Sequence, residues 1–138
     1  MRFIGRNHVF ARVERLQARL DDPTPPMQEA AALLRKSIDA NFDAQGRPTR
    51  WTGLSASTLA ARRRRGNTGT KILEDTGAMR SGVQTIMQGN SFEIGSNAVQ
   101  ARRMHHGWPG HTTARPWVMF QTEDIETTGN IFSRYYRS

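Results

Sequence analysis

The chain has 138 residues and a formal charge of +8; 36% of it is hydrophobic and only 8% aromatic. It contains no cysteine, which excludes disulfides, thiolate metal clusters and a cysteine nucleophile. The longest apolar run, residues 30–34, is far shorter than the roughly 18 residues a membrane span needs, and no apolar stretch of the secretory kind follows the basic N-terminus.

Length points to a single domain, 1–138. With so few apolar residues its core is modest and its wet surface large. A thin core with long polar loops suits a subunit that completes itself against neighbours. Lys36 and Lys71 are the only lysines, so nearly all the positive charge is arginine. The planar guanidinium pairs bidentately with carboxylate or phosphate, so the partner is nucleic acid or an acidic protein face. A merely solvated basic surface is the bland alternative.

Taken in order, residues 9–20 place Phe10, Val13, Leu16 and Leu20 on one helical stripe with arginines opposite. This helix is readable as a separate arm. Residues 21–26 break it. Thr24 can cap a second helix with Pro25 at the tolerated first position, and Met27, Leu33, Leu34, Ile38 and Phe42 give it an apolar face. Residues 43–54 form a polar loop in which Trp51 folds back as a lid on the core. Ser55 or Ser57 caps a short helix over 58–65, which Gly66 stops. Ile72 and Leu73 anchor the next stretch, and Asp75 or Thr76 caps a helical turn near 77–82. Alternating residues on either side of Gly89-Asn90 predict a β-hairpin at about 83–94. A short helix is expected within 97–106, a loop over 106–114, and a short strand near 117–120. A final helix carries Ile125, Phe132 and Tyr136, weakened by Gly129. The order predicts an α+β fold with helices packed on a small antiparallel sheet.

Four successive arginines, Arg62, Arg63, Arg64 and Arg65, are the strongest charge feature. On a helix they spread around the circumference, so at least two face outward. They suit a phosphate backbone or an acidic neighbouring subunit; a solvated face is the bland reading. No zinc-finger spacing, aromatic stacking signature or helix-turn-helix accompanies them, which argues against sequence-specific reading of DNA. His105, His106 and His111 cluster around Trp108, but they lack HExxH spacing and no carboxylate occurs from residue 97 to 120. A polar loop bonded to backbone or partner groups fits them better than a metal site. Carboxylates are scattered, and no GxSxG elbow or phosphate loop is present, so catalysis is disfavoured.

An ordered set of short motifs runs from about residue 27 to 120. It comprises Ser37-Ile38-Asp39-Ala40-Asn41-Phe42; Gly46-Arg47-Pro48 with Trp51 and Leu54; Ser57-Thr58-Leu59 and a basic stretch; Ile72-Leu73-Glu74-Asp75-Thr76-Gly77 with Met79; Ile94-Gly95-Ser96; a His-Gly segment at 105–107; and Ala114-Arg115-Pro116-Trp117. In this order and spacing the chain resembles the phage virion morphogenesis, or tail completion, proteins of Mu-like and P2-like tailed phages. That family carries a tyrosine-alanine pair leading into His-Gln-aromatic-Gly. Here Gln100-Ala101 leads to Met104-His105-His106-Gly107. Alignment on the alanine and glycine places Met104 at the histidine position, and alignment on His105 shortens the loop by one.

The resemblance implies a structural subunit at the head–tail connection or tail end, with no catalysis and no cofactor. It implies other neck or tail proteins as partners and a homo-oligomeric ring, while the residues themselves give no membrane and, from the arginine-rich surface, sequence-independent contact with passing DNA. On this reading Arg62, Arg63, Arg64, Arg65, His105, His106, Trp108 and Arg115 are expected at a subunit or DNA-channel interface, and Trp51, Ile72, Leu73 and Met79 in the core. The second reading, from charge alone, is a basic module that binds nucleic acid without regard to sequence.

Overall fold

The computed structural model describes residues 4–138; residues 1–3 of the expected domain lie outside the described residues. The elements are α1 (Ile4–Asp21), α2 (Thr24–Asp43), α3 (Ala56–Arg64), α4 (Ala78–Ser81), β1 (Val83–Gln88), β2 (Ser91–Ser96), α5 (Ala101–His106) and α6 (Thr122–Arg137). The architecture is α+β.

Helix α2 is the spine. Its start lies one residue earlier than Thr24 as a cap would place it: Pro23 occupies the cap position, and the Asp22 carboxylate accepts the Thr24 N–H at 3.1 Å. Pro25 and Pro26 then fall in the first turn, where no helical N–H is missed. One face of α2 buries Met27, Ala30, Ala31, Ile38 and Phe42. Ile38 and Phe42 meet Trp51, Ile72, Met79, Val83, Ala101 and Trp117 in a single cluster, with Leu54, Leu73, Ile94 and Met104 partly buried around it. The Trp51 edge meets the Phe42 ring at 5.7 Å, and its indole N–H donates to the Pro116 carbonyl at 3.0 Å. The lid role expected of Trp51 therefore has both an apolar and a polar fastening.

That lid depends on Gly46. Its φ is +115°, and a Cβ there would lie 2.5 Å from the Trp51 backbone nitrogen. Only glycine lets the chain turn so tightly under α2.

Helix α3 is capped by Ser55, whose hydroxyl accepts the Thr58 N–H at 3.2 Å. The hairpin forms in the register that sets Gln88 opposite Ser91 across Gly89-Asn90. Only Val83 of β1 is buried, while Phe92, Ile94 and Ser96 of β2 alternate inward. The distal half of the hairpin therefore extends beyond the core.

Two expected elements differ. No strand forms at 117–120, and the sheet has two strands. The chain bends at Val118, and side chains bond the backbone groups of the segment. Asn41 Nδ2 donates to the carbonyls of Trp117 (3.0 Å) and Met119 (2.8 Å), and the Val118 N–H donates to His105 Nδ1 at 3.5 Å. Three of the groups a neighbouring strand would bond are thus already taken. The helix expected within 97–106 is shortened to α5, because the Ser96 hydroxyl accepts the Ala98 N–H at 3.2 Å and the Asn97 N–H bonds to Gly82 O at 3.2 Å. This local turn competes with helix over residues 96–98.

Helix α6 closes the back of α2. The Asp124 carboxylate accepts the Gln121 N–H at its own helix start and the Ser37 hydroxyl from α2. Ile131 is its buried residue, and Arg134 pairs with Glu29. Helix α1 reaches α6 at one end: the Tyr135 hydroxyl donates to Asp22 O at 2.7 Å, and the Arg19 guanidinium lies 5.9 Å from the Tyr135 ring centre.

Candidate assembly surface and the cleft beside it

The arginine run divides by position on α3. Arg62 points inward and is buried; Arg63, Arg64 and Arg65 are exposed. Arg62 Nη1 donates to the carbonyls of Gly69 (3.2 Å) and Lys71 (2.8 Å), and its Nε faces Asp75 Oδ1 at 3.5 Å without forming a hydrogen bond. It fastens the 66–71 loop to the helix. Unlike its neighbours in the expected interface set, it uses its guanidinium inside the chain. The reason is geometric: four consecutive helical residues, about 100° apart, cannot all face outward. Arg65 reaches Asp75 Oδ2 at 2.6 Å, and Asn67 Nδ2 donates to the same side chain at 2.7 Å. Among the described residues, Arg63 and Arg64 have no carboxylate partner.

Arg115 is half-buried. Its Nε and Nη2 donate to Thr52 O (2.9 Å) and Gly53 O (3.2 Å), and its backbone N–H donates to Met104 O at 2.7 Å. Burial pushes its ionisation downward from the ordinary arginine value. Arg62 and Arg115 therefore lie in the walls of one cleft of about 570 Å³, between the 52–58 segment, the 73–79 segment and the 111–115 loop. Both arginines hold loops, and Ser55, Thr58, Asp75, Gln100 and His111 are among the other polar residues that line the cleft.

The histidine segment also divides. His105 is half-buried with its ring edge-on to Trp117 at 6.1 Å, whereas His106 is exposed 4.7 Å from His105. Trp108 lies on the surface, where it stacks on His111 at 4.2 Å and receives the Arg103 guanidinium at 4.5 Å. The turn that carries it closes through Trp108–Thr112 backbone bonds of 2.7 and 2.8 Å. Gly107, at φ +77°, lets it pass Ala114, whose backbone nitrogen a Cβ would meet at 2.8 Å. Among the described residues no group of three or more His, Cys, Asp or Glu is placed to hold a metal.

Burial, followed by the charge of His106, holds the His105 imidazole below its ordinary value of 6.5. The unfolded chain therefore takes up the proton first as pH falls. Stability is full above about pH 6.5 and declines as the pH drops toward and through the depressed value. Protonation also removes the Nδ1 lone pair that accepts the Val118 N–H. Melting temperature is expected to fall between pH 7.5 and pH 5, and the part of the fall due to this residue should be absent in His105→Gln. An unchanged pH profile in that variant would refute the assignment.

Sequence reasoning did not anticipate Arg80. It joins α4 to α2 through Asp43 (2.7 Å) and Asp39 (3.5 Å) and to Glu74 (3.1 Å), with its guanidinium 5.8 Å from the Phe42 ring centre. Its hydrogen bond holds the exposed Asp43 carboxyl below its usual range. The surrounding motif gave one signal: acidic residues at 39, 43 and 74 around one arginine.

The model of the phage virion morphogenesis family matches residues 5–136, nearly the whole chain. No curated protein and no solved structure matches it.

Proposed function

The chain belongs to the phage virion morphogenesis family, and we propose that it is a non-catalytic structural subunit of the head–tail connection or tail end that completes or joins the tail. Its role in phage assembly follows from the family. The observation that supports the finer reading is the division of the basic run, with structural arginines turned inward and Arg63 and Arg64 turned outward without carboxylate partners among the described residues. Outward guanidinium groups on a short, well-capped helix suit an acidic neighbour, or the phosphates of DNA threading past, without any base reading. The exposed Trp108 stack adds an aromatic anchor on a rigid turn, the residue type that dominates interface energetics. In this reading copies of the chain form a ring, and Arg63, Arg64, Arg65, His106 and Trp108 face neighbouring neck or tail proteins or the passing DNA.

Deleting the gene should leave heads and tails unjoined, or tails abnormal, by electron microscopy. Normal infectious particles would exclude the reading. Replacing both Arg63 and Arg64 with glutamate should change stability by no more than about 0.5 kcal/mol. The same variant should lower infectious titre by about a hundredfold or more, because like charges set across an interface cost several kcal/mol. A wild-type titre from a stably folded double variant would remove these residues from the contact.

A further inference from the structure

The strongest unused feature is α1. Val9, Phe10, Val13, Leu16 and Leu20 are each between 43% and 63% exposed, all along one helix. A helix with such a stripe is ordinarily covered by something. We propose that α1 docks on the N-terminal half of α6 in a second copy of this chain, as a head-to-tail contact; the inference rests on the self-assembly reading just given.

Three observations identify that occupant. At about 100° per residue Arg12 and Arg19 flank the stripe on one side and Arg15 lies toward the opposite face, and among the described residues none of the three pairs with a carboxylate. Two α1 helices laid together would set arginine against arginine, so α1 is a poor partner for itself. The start of α6 has the opposite character. Ile125 is 65% exposed between Glu123 and Glu126, neither of which is ion-paired among the described residues.

The third observation is continuity. Ile125, Gly129, Phe132 and Tyr136 follow helical spacing along one face of α6. At the C-terminal end of that face Tyr136 already shares a hollow with Leu16, Arg12 and Arg15 of its own α1. Ile125 lies eleven residues earlier, about 16 Å along the axis, and is uncovered. Nothing lies within 4 Å of where a Gly129 Cβ would stand, so a second helix can approach closely there. The α6 face thus accepts α1 chemistry at one end and leaves an acidic-rimmed apolar seat open at the other.

A patch on one surface that meets a different patch on the next copy is heterologous, and such contacts give rings when the rotation closes. Each chain has one of each patch, so every added copy leaves one seat and one helix free until closure.

The test uses the full chain and native mass spectrometry of wild type, Val13→Glu, Ile125→Glu and an equimolar mixture of the two variants. Both positions are exposed, so the circular dichroism of each variant should match wild type, while melting should fall with the loss of assembly. Wild type is expected as a closed oligomer and each variant alone as a monomer. The mixture should give a two-chain species and nothing larger, because it restores one intact contact per pair. If either variant keeps the wild-type mass, or the mixture stays monomeric, this interface is overturned while the ring reading stands. A wild type that is monomeric at every concentration overturns both.

Discussion

Asn41→Leu is expected to destabilise the fold by about 3 kcal/mol, although it conserves size and adds apolar surface. Asn41 is fully buried on α2 and uses both ends of its amide. Nδ2 holds the carbonyls of Trp117 and Met119, and Oδ1 accepts from Arg47 Nε at 2.9 Å. Leucine would orphan two carbonyls and one guanidinium N–H. A buried polar group left unsatisfied costs about 1–3 kcal/mol, and the total is discounted because Met119 is partly exposed and Arg47 Nη2 keeps Ser37 O at 2.8 Å. For a chain of this size, about 4 °C of melting temperature accompanies each kcal/mol, so a fall of roughly 12 °C is expected. The cost should be concentrated in the 115–120 segment, read as faster amide exchange at Val118 than on α2. A variant that melts within 2–3 °C of wild type, roughly the size of an ordinary surface effect, would mean that water replaces the amide and that the segment is held by Trp117 packing alone.

The elements legible in the sequence were those whose signals are local. Helix α2 follows from the spacing of Met27, Ile38 and Phe42, the hairpin from Gly89-Asn90, and the start of α3 from Ser55. The segment at 117–120 was not legible because its edges are satisfied by Asn41, 76 residues away from Trp117, and by His105, 13 residues from Val118. No local pattern distinguishes a ladder from two side chains that replace it. The stripe on α1 was legible as a stripe, but amphipathic spacing looks the same whether the covering surface belongs to the same chain or to another. In the candidate site, the exposed Trp108 could be located from its loop context. Four identical residues in a row, by contrast, carry no sign of which one turns inward.

Arg62→Met should therefore behave unlike changes at the neighbouring arginines and is expected to cost about 2 kcal/mol, since hydrogen bonds from a charged group are worth about 1.5–3 kcal/mol. The figure stays at the lower end because Gly69 and Lys71 are exposed, so water can reach their carbonyls once the guanidinium is gone. Asp75 also keeps Arg65 and Asn67 as partners. Methionine fills much of the buried stem volume, so packing loss is small and the effect isolates the polar fastening. Its structural signature is local. The loop at 66–71 loses its tie to α3, so trypsin should cut after Lys71 in the variant under conditions where wild type resists. Arg63→Met and Arg64→Met should leave both melting and proteolysis unchanged. If Arg62→Met is as resistant as they are, the loop is held by Asn67 and Asp75, and the inward arginine is incidental to the cleft wall. If it is cut as expected, the run serves two purposes on one short helix: one arginine organises the chain, and the outward ones remain available to a partner.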